Sequence, residues 1–135
     1  MNYSGLILAA GSGTRIAKLT SSPKCLIKVS GRSILEYQLE SFYHADIKNI
    51  YIITGYQDYK IKKFVNKYKS KLKIKLIKNP IYKITNNMYS AYLASQFLRK
   101  KKFILCNGDV VIDKKMIKQL VNGKNKNEKT EIDCS

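Results

Sequence analysis

Five consecutive residues, Gly11-Ser12-Gly13-Thr14-Arg15, follow the apolar run Leu6–Ala10. Gly11 and Gly13 let backbone N–H groups turn towards an anion with no Cβ in the way. Thr14 adds a hydroxyl and Arg15 a permanent cation, so the segment can cradle a triphosphate. It also fits a plain tight turn from strand to helix. It is not a Walker A loop, because no Gly-Lys-Ser/Thr closes it. Lys24 follows Pro23 at a proline-set bend, where a lysine can place a point charge between two phosphates. Asp109 stands just after the apolar run Lys102–Cys106, in Asn107-Gly108-Asp109. That segment fits a strand-end turn. It also fits a hard-oxygen ligand for Mg²⁺, which takes one or two carboxylates and completes its shell with phosphates and water.

Other chemistries are poorly served. His44 is the only histidine and sits in a helix-end segment, which disfavours a serine–histidine hydrolase. Cys25, Cys106 and Cys134 have neither metal-like spacing nor the even count of a disulfide framework, so each reads as a small apolar side chain. The chain carries 26 Lys+Arg against 9 Asp+Glu, a formal net charge of +17. Such a charge attracts anions. Only Arg15, Arg32 and Arg99 are arginines, however, and arginine is the residue of bidentate phosphate and guanine readout. The scattered lysines read as solvated faces. No nucleic-acid partner is expected, although a basic nucleic-acid-binding domain is the rival reading. No apolar run approaches the ~18 residues of a membrane span, and the opening residues lack the pattern of a signal peptide. A cytoplasmic protein with no membrane partner is the expectation.

The elements that would position these residues alternate. Leu6–Ala10 reads as a buried strand and Asn49–Thr54 as a second. Leu72, Ile74 and Leu76 alternate with lysines, as in a half-exposed edge strand. Lys102–Cys106 is a fourth strand. Ser33 with Glu36 forms a capping box ahead of Ile34, Leu35, Leu39 and Phe42 at helical spacing. Asp58–Lys69 is amphipathic, with Ile61, Phe64, Val65 and Tyr68 on one stripe. Asn87–Leu98 and Lys114–Val121 complete the helices, the last capped by Asp113. At 135 residues the chain suits one domain that buries roughly two-thirds of its unfolded surface. Strand–helix alternation indicates a parallel sheet, here in the order 3-2-1-4. Ligands of such sheets sit beyond the carboxyl ends of the strands, where the order reverses. That rule brings Gly11–Arg15 and Asp109 to one crevice.

Taken in order, Leu8-Ala9-Ala10-Gly11-Ser12-Gly13-Thr14-Arg15, Pro23-Lys24 and Gly108-Asp109 resemble the MobA-like nucleotidyltransferases that make nucleotide-activated sugars and alcohols. Asn79-Pro80-Ile81-Tyr82, Thr85-Asn86-Asn87-Met88-Tyr89-Ser90 and Ser33–Gln38 are similar to the phosphocholine cytidylyltransferase branch. Lys18 and Cys25 stand where that family often has prolines. The resemblance implies an α/β, Rossmann-like three-layer sandwich with a mainly parallel sheet, C-terminally truncated. Residues 1–121 would be the nucleotide-binding part, and residues 122–135 a mobile polar segment with the start of a truncated strand (Asp133 within it). The implied reaction moves a nucleoside monophosphate from an NTP, CTP weakly favoured, to phosphocholine or a sugar 1-phosphate, and releases pyrophosphate. A uridylyl- or thymidylyltransferase is the rival enzyme, and a nucleotide-binding fragment without turnover is the rival outside catalysis.

By that resemblance Ala9, Ala10, Gly11, Gly13 and Thr14 hold the nucleotide, and Arg15 neutralises the departing pyrophosphate. Lys24 screens the two phosphates from each other, Asp109 holds Mg²⁺, and Asn86, Asn87 and Ser90 face base or ribose. The family's second metal-binding aspartate, acceptor pocket and dimer contacts would lie beyond Ser135; the dimer contacts bear on a homo-oligomer. The first test follows from the loop. Gly13→Val sets a branched side chain in the phosphate path and is expected to weaken NTP binding in calorimetry. Equal binding by both forms would contradict the cradle.

Overall fold

A computed structural model describes residues 3–11, 22–85 and 87–123. β1 (Tyr3–Ala9) is buried at all seven positions. It begins three residues before the apolar run predicts, because Tyr3 and Ser4 already pair with Lys102 and Phe103. A hairpin follows, β2 (Lys28–Val29) and β3 (Arg32–Ser33), antiparallel. Then come α1 (Ile34–His44), β4 (Asn49–Thr54), α2 (Asp58–Val65), β5 (Lys73–Lys78), α3 (Asn87–Ser95), β6 (Lys102–Asn107) and α4 (Met116–Gly123). The main sheet runs β5-β4-β1-β6 with every neighbour parallel. This is the order expected from the sequence.

Alternation along the strands separates two layers. Ile7 and Ala9 of β1, Ile50 and Ile52 of β4, and Ile104 and Cys106 of β6 face one cluster. That cluster also takes Leu35, Leu39 and Phe42 of α1, Ile61 and Val65 of α2, and Ile117 of α4. Leu6, Leu8 and Ile53 face the other side, against Ala94 of α3 and Leu98 beyond it. Among the described residues the result is a three-layer sandwich with α1, α2 and α4 on one face and α3 on the other.

The local signals explain most boundaries. Ser33 Oγ accepts from the Glu36 backbone N–H at 3.1 Å, which starts α1. The capping-box glutamate goes elsewhere: Arg32 Nε donates to Glu36 Oε2 at 2.9 Å. Helix α2 ends at Val65 and tightens into a 3₁₀ turn over Asn66–Tyr68, so its helical stripe is shorter than predicted. α3 stops at Ser95 rather than Leu98. It lays small Ser90 and Ala94 on the sheet and leaves Met88 and Tyr92 exposed. α4 starts two residues after Lys114 and runs to Gly123. Asp113 accepts from the Lys115 backbone N–H at 2.9 Å.

One contact fixes the end of β6 against β1. The Gly108 N–H donates to the Leu8 carbonyl at 2.8 Å, and a Cβ at Gly108 would lie 2.8 Å from that same oxygen. Backbone cannot give way as a flexible side chain can. Gly108→Ala is therefore expected to cost ~1–3 kcal/mol of stability, the range for overpacking, measured by urea unfolding. Gly11→Ala, whose Cβ meets nothing within 4 Å, is the control. Equal stability of the two variants would contradict this contact's role.

Candidate functional site

The carboxyl ends of β1, β4 and β6 lie together, with Ala9 opposite Thr54 and Leu8 opposite Asn107. A cleft of about 110 Å³ opens there, bounded by Ala9, Gly11, Lys24, Asn87, Asn107 and Asp109 among its lining residues. That volume suits a phosphoryl group rather than a whole ligand, for which pockets of ~300–1,000 Å³ are usual.

Pro23 sets the approach of Lys24. With φ −56° and ψ 147° it leads into a 3₁₀ turn over Lys24–Leu26. The Leu26 and Ile27 N–H groups close back on the Pro23 and Lys24 carbonyls at 2.9 and 3.1 Å. Cys25 is buried in the core, whereas the Lys24 side chain remains 38% exposed. Lys24 Nζ lies 3.9 Å from Asp109 Oδ2, and the Asp109 side chain is 50% exposed. A pair this open and this long contributes little to stability. Both charges remain available to a ligand.

A buried amide organises the other wall. Asn79 is 1% exposed. Its Nδ2 donates to Thr85 Oγ1 at 2.9 Å and to Ser90 Oγ at 3.3 Å. Its Oδ1 accepts from the Ile81 N–H at 3.1 Å. This network folds residues 79–85 over the end of β5 and ties Ser90 of α3 to the same place. Asn87 Nδ2 then donates to Asn107 Oδ1 at 3.1 Å.

The structure thus brings Ala9, Gly11, Lys24, Asn87 and Asp109 into one cleft. Ala10 and Ser90 sit behind it, at 3% and 2% exposure. Ser90 is hydrogen-bonded to Asn79, so here it supports the wall. Gly13, Thr14, Arg15 and Asn86 lie outside the described residues, as do Asp133 and Cys134. His44 lies in the last turn of α1, and Arg32 is engaged by Glu36 and Glu40.

Three residues of the site went unread as such in the sequence: Asn79, Asn107 and Gln38. Gln38 carried a signal, since it stands four residues after Ile34 and three after Leu35, on the buried face of α1. The signal at Asn79 was its place before Pro80 at a strand end.

Burial pushes the Cys25 thiol up from 9.0 to about 12, partly offset by a backbone hydrogen bond. The fold therefore favours the neutral thiol. Its stabilising contribution is complete below pH ~9 and is lost as pH rises towards 12. Alkylation of Cys25 at pH 8, followed by mass spectrometry, is expected to keep pace with unfolding across a denaturant series. Rapid labelling of the folded protein would contradict this.

The MobA-like NTP transferase domain family matches residues 5–131. A CTP:phosphoglutamine cytidylyltransferase of Campylobacter jejuni is 30% identical over 125 residues, covering 88% of this chain and 48% of that protein. A choline-phosphate cytidylyltransferase of Streptococcus pneumoniae is 38% identical over 94 residues, covering 69% of this chain and 39% of that one. The solved CTP:phosphocholine cytidylyltransferase from Streptococcus pneumoniae superposes with a TM-score of 0.71 at 34% identity, covering 81% of this chain and 46% of that structure. The chain spans about half the length of the relatives it matches, or less.

Proposed function

The chain belongs to the MobA-like NTP transferase domain family, and from that membership we propose that its cleft takes part in transfer of a nucleoside monophosphate from an NTP to a phosphorylated acceptor. The observation that carries this reading is the open pair of Lys24 and Asp109, 3.9 Å apart, where β1 and β6 end. In the proposed reaction an acceptor phosphate oxygen forms a bond to the α-phosphorus. The bond from that phosphorus to the bridging oxygen breaks, and pyrophosphate leaves with the electron pair. Two anions must meet, so the site has to supply positioning and charge rather than a covalent nucleophile.

Lys24 reduces the repulsion between the two phosphates, because its Nζ is held at the cleft by the Pro23 bend and is not consumed by a short ion pair. Gly11 exposes backbone at the end of β1. Asn87, tied to Asn107, offers an amide to base or ribose, and Asn86 and Ser90 take their roles towards base or ribose from the family resemblance. Gly13, Thr14 and Arg15 take their phosphate-binding roles from the family resemblance. Among the described residues no three His, Cys, Asp or Glu side chains cluster as a metal site. A lone half-exposed carboxylate does fit an ion whose shell is mostly phosphate and water. Asp109 would hold Mg²⁺, with Asn107 beside it, and the ion would neutralise charge on the phosphates.

CTP is the favoured nucleotide, supported by the names of the relatives; phosphocholine is the first acceptor to try, with sugar 1-phosphates next. The proposed use of NTPs supports a cytoplasmic location. Among the described residues, no helix is long and apolar enough to cross a membrane.

Calorimetry with CTP, UTP, dTTP and GTP, with and without Mg²⁺, tests the binding step. Pyrophosphate release with phosphocholine and sugar 1-phosphates tests transfer. Asp109→Ala is expected to weaken Mg²⁺-dependent CTP binding by roughly tenfold or more, the size of a charged contact, and to affect metal-free binding less. Asp113→Ala is expected to lose only a helix-start contact, ~0.5–2 kcal/mol of stability. The same metal dependence in both variants would defeat the Asp109 assignment, and a clear preference for GTP would defeat the choice of CTP.

A further inference from the structure

We propose that Gln38 is a positioning residue that sets the turn presenting Asp109 to the cleft. The inference rests on the reading of that cleft as a metal–nucleotide site. Gln38 is fully buried, at 0% exposure, in the apolar face of α1. Its Nε2 donates to the Asn107 carbonyl at 2.8 Å and to the Val110 carbonyl at 2.8 Å. Those two carbonyls bracket Gly108 and Asp109. One side-chain amide therefore spends both of its hydrogens on the two ends of the turn that carries the carboxylate.

Two backbone hydrogen bonds also restrain that turn. Gly108 N–H is bonded to Leu8 O at 2.8 Å, and Val110 N–H reaches Asn107 O at 3.3 Å. The first ties the turn to β1, and the second closes it on itself. Among the described residues only Gln38 ties both ends to α1. Its reach extends further, because Asn107 is the residue whose side chain receives Asn87. The same clamp thus bears on both polar walls of the cleft.

The choice of glutamine has a cost that packing alone does not explain. Burying an amide among apolar groups costs desolvation, and among the described residues Gln38 Oε1 has no hydrogen-bond partner. Its neighbours on this face, Ile34, Leu35, Leu39 and Phe42, are apolar. An apolar residue at position 38 would fill the space without that penalty and would lose the two donors. Ser41, one turn on, gives an internal comparison. Its Oγ donates to Asp113 O at 3.0 Å and accepts from Ile117 N–H at 3.2 Å. It anchors the start of α4 and makes neither Gln38 contact.

The test compares Gln38→Met, which keeps length and packing but removes the donors, with Ser41→Ala in the full chain. Gln38→Asn, which keeps the amide one methylene short, serves if the methionine variant does not fold. Amide hydrogen exchange by NMR is read without ligand. Mn²⁺-dependent and metal-free CTP binding are read by calorimetry. In the Gln38 variants the Val110 amide is expected to exchange roughly 5–10-fold faster relative to β1 amides, the effect of about one lost hydrogen bond. Metal-dependent CTP binding is expected to weaken by a similar factor, with metal-free binding nearly unchanged. Ser41→Ala is expected to lose stability without either effect. Unchanged exchange at Val110, or the same losses in Ser41→Ala, would overturn the role of Gln38. Absence of CTP binding by the unmodified chain would instead overturn the cleft reading, and the exchange data would still decide whether Gln38 holds the turn.

Discussion

The burial of β1 on both faces is the constraint from which the rest of the molecule follows. All seven of its residues are out of water, so it cannot show the polar–apolar alternation of a half-exposed strand. Its small residues bring the layers close. A Cβ at Gly5 would meet the Phe42 ring and Ile50 Cδ1 at 2.8 Å. Both neighbours run parallel to it, so three strands end at one level. Beyond that level backbone polar groups and charged side chains can reach solvent without a desolvation penalty. The polar site stands there because the central strand leaves it few other places.

Charge is used differently at the start of α1 and in the cleft. At the start of α1, Arg32 is committed to Glu36 at 2.9 Å and to Glu40, with its guanidinium 4.9 Å from the centre of the Tyr37 ring. That cluster secures the hairpin against the helix. In the cleft, by contrast, Lys24 and Asp109 stand 3.9 Å apart and well exposed, and the walls are held by neutral groups: Asn79, Ser90, Asn87 and Asn107. Amides and hydroxyls fix the geometry through direct hydrogen bonds, each worth a modest net amount but costly to leave unmade. The charged pair is thereby spared a structural duty.

Much of this architecture was legible in the sequence. The four strands of the main sheet, their order and the α1 cap were readable because apolar period, a capping serine and strand–helix alternation all agree. The convergence of Gly11 and Asp109 followed from the topological rule for such sheets, and Lys24 joined them through the family motifs. The β2–β3 hairpin was not legible. Two-residue strands carry no period, and its signals were only Ser30-Gly31, both with positive φ. The faces of α3 were obscure because Ser90 and Ala94, rather than Met88 and Tyr92, pack inward. Residue volume was a poor guide there, since a helix lying close to a sheet needs small side chains at the contact. The buried amides of Gln38 and Asn79 escaped notice because a polar residue inside an apolar pattern identifies itself only when its hydrogen-bond partners, distant in sequence, are known.

The placement of β1 also has a consequence for biosynthesis. The strand that ends at the centre of the sheet is made first, but its partners come late: Ser4 must await Asn49 on one side and Phe103 on the other. At a translation rate of ~5–20 residues per second, this wholly buried strand emerges seconds before the strand that closes its second edge. Until Asn49–Thr54 emerges neither of its edges has a native neighbour, and until β6 emerges one edge still has none. Long-range parallel pairing of this kind folds slowly, so the second edge of β1 stays open to wrong pairing until β6 has left the ribosome.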